Sequence, residues 1–175
     1  MDSKAAKLRT LIVLFVFLAL TVPWKNLSAQ VVKIRLVNGK SGRPIASTCV
    51  NTWVGTERKD AITIPTDNEG VAKLYLTDRD AQVNIQSQPR NCGNFGVSDP
   101  VVKYADTIRI VAGYVVCQSH APDYSWLSTM EFSMRKILQQ GIVTANTCGK
   151  AAASPEPGEL VIFVRPLSWW EKLKQ

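Results

Sequence analysis

The sequence predicts a mainly β protein, an antiparallel Greek-key sandwich of about seven strands with one or two short helices in its C-terminal third. Three observations carry this expectation. Apolar and polar residues alternate with period two in short runs, as in Val32, Ile34 and Leu36 against Lys33 and Arg35. Clusters of Gly, Pro, Asn and Asp separate the runs at intervals of roughly 8–12 residues. Helical spacing enters only late, at Leu127, Met130, Met134, Ile137 and Leu138.

VVKIRLV, residues 31–37, is the first half-buried strand, and NGKSGRP turns the chain after it. IASTCVNTWV, residues 45–54, is dense in β-branched side chains and forms the second strand. AITIPT, residues 61–66, is a short strand limited by Pro65, whose nitrogen has no hydrogen to offer a neighbour. The oxygen-rich row Asp67, Asn68, Glu69 before Gly70 could be a cation loop or a tight turn. A helix–loop–helix calcium loop alternates its ligands over about 12 residues and closes with Glu. Here the oxygens are consecutive, so the turn is expected, with Asp67 accepting backbone N–H bonds and Gly70 at positive φ.

VAKLYLT, residues 71–77, sets Val71, Lys73 and Tyr75 on one face and Ala72, Leu74 and Leu76 on the other. AQVNIQS, residues 81–87, is the next predicted strand, and QPRNCGNFGVSDP, residues 88–100, a loop. Residues 106–118 return to strand character, broken near Gly113. A helix then starts at the capping box Ser128–Glu131, or at Ser133 in a shorter form, and ends at Gly141. GKAAASPEPGE reads as a linker, and LVIFV, residues 160–164, as a strand buried on both faces. Ser168 and Glu171 repeat the capping spacing; a helix of about seven residues is unstable alone, so Trp169, Trp170 and Leu173 must dock it.

Residues 1–29 have the pattern of a cleaved export signal: Lys4, Lys7 and Arg9, then the apolar run 10–24, then Ala29 as a small residue before the cut. Residues 30–175 form one domain, divided into a core at 31–112 and an extension at 113–175. An uncleaved signal would be the chain's one attachment to a membrane. Cleavage leaves 17 of the 21 basic and 13 of the 14 acidic residues, net +4, with the bases dispersed. A nucleic-acid partner would want a basic patch or stripe, so none is expected.

Four cysteines remain, and three connectivities are open to them. An exported chain meets oxidising conditions, and the expected pairs are Cys117 with Cys148 and Cys49 with Cys92. No two cysteines have the close spacing of a structural zinc site, so no metal is expected.

A His-based hydrolase would have to use His120, the single histidine, in CQSHAPDYS. No phosphate-cradling loop or dinucleotide fingerprint is present. Asp78 and Asp80 flank Arg79 in a turn, where carboxylates face water rather than each other across a cleft. No catalytic residue and no cofactor are therefore expected. The candidate ligand contacts are the tryptophans Trp53, Trp126, Trp169 and Trp170, whose flat faces can stack on sugar rings or cover area on a protein partner.

VKIRLVNGKSGRPIASTCVNTW followed by TIPTDNEGVAKLYL resembles the carboxypeptidase regulatory-like domains, small transthyretin-like sandwiches, over residues 31–112. The C-terminal part is similar to the tails of small secreted bacterial proteins that carry such a domain. The resemblance implies a periplasmic or extracellular module with a structural or adhesive role and no catalytic residues of its own. The resulting expectation is a non-catalytic binding or structural module for protein or carbohydrate. The alternatives are a small hydrolase using His120 and an envelope protein docking through the C-terminal Trp pair.

Overall fold

The computed structural model describes residues 30–55, 61–78, 92, 99–118 and 129–169. Their strands are β1 (Gln30–Asn38), β2 (Cys49–Val54), β3 (Ile62–Pro65), β4 (Val71–Thr77), β5 (Val101–Lys103), β6 (Thr107–Val111), β7 (Val115–Val116), β8 (Met130–Ser133), β9 (Ile142–Val143) and β10 (Glu159–Arg165). One helix among these residues, α1 (Met134–Gln140), separates β8 from β9. Two sheets make a sandwich-like core: one runs β5-β4-β1-β10-β7 with β9 also beside β10, the other β3-β2-β6-β8. The protein is thus mainly β, with a short helix late in the chain. The predicted strand at 81–87 lies outside the described residues.

Period two places the core as the alternation requires. Val32, Ile34 and Leu36 of β1 are fully buried, and so are Ala72 and Leu74 of β4. They join Val50, Ile64, Ile108 and Ile110 from the other sheet in one cluster, which Met134 and Ile137 of α1 close. Each buried Val, Leu, Ile or Met side chain contributes about 1.5–3 kcal/mol on leaving water. β10 is buried on both faces, Leu160 to Val164 being at most 2% exposed.

The second face of β10 is covered in part by residues that the sequence presents as a linker. Residues 144–158 form a strap: Ala151, Ala153 and Cys148 pack with Val161, Phe163 and Cys117 in a second apolar cluster. Asn146 Nδ2 donates to Gly39 O at 2.8 Å and to Ala151 O at 2.7 Å, tying the strap to the end of β1. Thr144 Oγ1 accepts from Phe163 N at 3.0 Å. Small residues suit the strap because it must approach the sheet closely.

Strand direction departs from a purely antiparallel plan. β1 pairs β10 in parallel, as β4 does β5 and β9 does β10. The helix starts at Ser133, whose hydroxyl accepts from Lys136 N, and not at the Ser128–Glu131 capping box. Residues 130–133 are instead strand, because β6 takes them as its antiparallel partner from Ile110↔Met130 to Thr107↔Ser133.

The Asp67 turn is tight, as expected, but it is not a hairpin: it carries the chain from β3 in one sheet to β4 in the other. Asp67 Oδ1 accepts from Glu69 N and Val71 N, both at 2.9 Å, and Gly70 sits at φ 72°. Those bonds and the solvent exposure of Asp67 predict that Asp67→Ala lowers stability by about 1–2 kcal/mol in urea titrations. Adding calcium to the wild type should leave its melting temperature unchanged.

Candidate functional site

The outer face of the four-stranded sheet gathers the strongest set of polar and aromatic side chains around a predicted site residue. Val50 and Thr52 of β2 are buried in the core, so Asn51 and Trp53 face away from it. Register sets Trp53 opposite Arg109 on β6, and Arg109 opposite Glu131 on β8. Arg109 Nε donates to Glu131 Oε2 at 2.7 Å. In the neighbouring row Thr63 Oγ1 donates to Asn51 Oδ1 at 2.7 Å. Opposed side chains in such a ladder have Cβ atoms about 4.5–5.5 Å apart, so a half-buried indole stands beside two polar pairs fixed by their own hydrogen bonds. The arrangement can stack a flat ligand on Trp53 and meet its hydroxyls with amide, hydroxyl, guanidinium and carboxylate groups.

Trp169 is 63% exposed and lies beyond the end of β10 in the other sheet. Trp126, Trp170 and His120 lie outside the described residues, as does Asp80, while Asp78 is exposed at the end of β4. The cysteines are brought together as expected: Cys49 bonds Cys92, and Cys117 bonds Cys148. Such bridges belong to a non-cytoplasmic environment. Among the described residues no helix is long and apolar enough to cross a membrane. Nor does any group of three His, Cys, Asp or Glu among them converge as metal ligands.

A second group of polar and aromatic side chains, on the outer face of the six-stranded sheet, does not stand out in the sequence. Lys33 of β1 stands directly opposite Lys73 of β4 on one side and Glu159 of β10 on the other. Arg35, one row along, reaches Glu159 Oε2 with Nη2 at 2.7 Å. Arg35 Nε is buried without a hydrogen-bond partner. In the row on the other side Tyr75 lies between Val31 and Val101. The alternation in VKIRL and AKLYL does put these side chains on the outward faces of their strands. What it lacks is the register that sets one strand against the other.

Comparison with known proteins gives no matching family model, no matching curated protein and no matching solved structure.

Proposed function

We propose that this chain is an exported, non-catalytic binding module that takes carbohydrate on the outer face of the four-stranded sheet. The observation that carries the proposal is the row of Trp53, Arg109 and Glu131 beside the bonded pair Asn51 and Thr63. A sugar ring offers an apolar C–H face to an indole and hydroxyls at its rim to fixed polar partners. Side chains already held in place lose little freedom on binding, which favours affinity. The two disulfides fit the periplasm or the medium, the compartments that the apolar leader implies. The NGKSGRPI and TDNEG turns, similar to those of carboxypeptidase regulatory-like domains, fit the same non-catalytic role.

The test is a glycan array with the full chain, followed by titration of the best ligand. Trp53→Ala should weaken that ligand about tenfold or more, which is roughly 1.4 kcal/mol, with the circular dichroism spectrum unchanged. Silence across the array, or a Trp53→Ala variant that binds as tightly as wild type, would sink the proposal. The exposure of Trp169 favours a second reading, in which the C-terminal Trp pair docks on an envelope partner. Trp169→Ala would then abolish cell-envelope association and leave glycan binding intact.

A further inference from the structure

Positive charge that is dispersed along the chain is concentrated by the register of β1 and β4. We propose that the outer face of these two strands binds an anionic polysaccharide, with Lys33 and Lys73 on its acidic groups and Tyr75 beneath a sugar ring.

Lys33 and Lys73 are cross-strand partners, and both are exposed. Like charges directly opposite each other destabilise a sheet, and among the described residues neither lysine has an ion-pair partner. Glu159 lies opposite Lys33, but its carboxylate is held by Arg35 and its side chain is only 8% exposed. Asp99, just before β5 and nearest in register to Lys73, forms no ion pair with it. The face therefore presents two adjacent ammonium groups, with the Arg35 guanidinium one row away.

The row beside the lysines is of a different character. Tyr75 is flanked by Val31 and by Val101, which is 42% exposed and one of two exposed large hydrophobic residues among those described. Residues two apart on a strand share a face and are about 7 Å apart. A cationic row and an aromatic, apolar row thus run side by side at that spacing. An acidic sugar carries its carboxylate or sulfate at the rim of a ring whose flat side is C–H, so one residue of the polymer engages both rows. An acidic peptide would satisfy the lysines and offer Tyr75 no flat partner. Charge complementarity selects the sign of the ligand, and the tyrosine row selects a sugar. This face lies on the other sheet from Trp53 and stands independently of that site.

The experiment is calorimetric titration of the full chain with polygalacturonate, neutral dextran and poly-glutamate. Polygalacturonate should bind, and binding should vanish near 1 M salt, where the screening length falls to about 3 Å. The double variant Lys33→Gln/Lys73→Gln should lose about tenfold or more, and Tyr75→Ala several-fold. Because both lysines are exposed and their opposed charges destabilise the sheet, the double variant should melt no lower than wild type. Absence of polygalacturonate binding, or unchanged affinity in the lysine variant, would overturn the proposal. Equal affinity for poly-glutamate, or no effect of Tyr75→Ala, would reduce the face to one that reads charge alone and overturn the assignment to a sugar.

Discussion

Gly141→Ala is expected to destabilise the folded chain by about 3–5 kcal/mol, from backbone strain and overpacking together. Gly141 has φ 73° and ψ 167°, a combination essentially confined to glycine. It ends α1, and the strap returns against it. A Cβ there would meet the backbone of Glu156, 2.6 Å from its nitrogen and 2.7 Å from its carbonyl carbon. Neither side can yield easily, because Ile137 O accepts from both Gly141 N at 3.0 Å and Gly158 N at 2.8 Å. Gly113→Ala is the control. Gly113 also has positive φ, at 65°, but nothing lies within 4 Å of an added Cβ, so only the conformational cost of about 1–2 kcal/mol applies. Urea titrations followed by circular dichroism measure both. Equal losses would show that the contact with Glu156 does not constrain the fold.

Opening the Cys117–Cys148 bridge is expected to have an effect of similar size. The two cysteines are 31 positions apart, and loop closure on that scale restricts the unfolded chain by about 3–4 kcal/mol. The folded state also changes in a way that distinguishes this bridge from Cys49–Cys92. Cys117 and Cys148 both belong to the cluster over Val161 and Phe163, so Cys117→Ser/Cys148→Ser loosens the strap as well as lengthening the free chain. The double variant should bind a hydrophobic dye that wild type excludes, and backbone amides in residues 144–158 should exchange faster. A variant as stable as wild type, with unchanged exchange in the strap, would show that the strap stays in place without its bridge.

The parts of the fold legible in the sequence are those that depend on a residue's near neighbours. In β1 and β4, alternation alone sorts Val32, Ile34, Leu36, Ala72, Leu74 and Leu76 to the inside, since successive side chains must point to opposite faces. The Asp67 turn is likewise local, because its bonds span two and four residues. The apolar run in β10 correctly implies burial on both faces, although the cover on one side comes from a segment of linker composition. Residues 130–133 show where local reading stops. Both Ser128 and Ser133 offer caps, and the choice is made by β6, which lies well before them in the chain and takes residues 130–133 as a strand. The candidate sites divide in the same way. Trp53 stands out by residue type, whereas Arg109 and Glu131 become its neighbours only through register. The lysines look dispersed in the sequence because the β1–β4 pairing sets Lys33 against Lys73, forty positions further on.

The parallel pairing of β1 with β10 bears on the time course of folding. Arg35 and Glu159, joined across that seam, are 124 positions apart. A ribosome adds roughly 5–20 residues each second, so β1 waits on the order of ten seconds for β10 to be made, its inner edge open meanwhile. During that interval β4 is available to it, but the six-stranded sheet has a gap at its centre. Contacts of such long range also slow the closing step itself. The chain therefore cannot complete its core during most of its own synthesis, and the seam between β1 and β10 closes only after nearly the whole chain has been made.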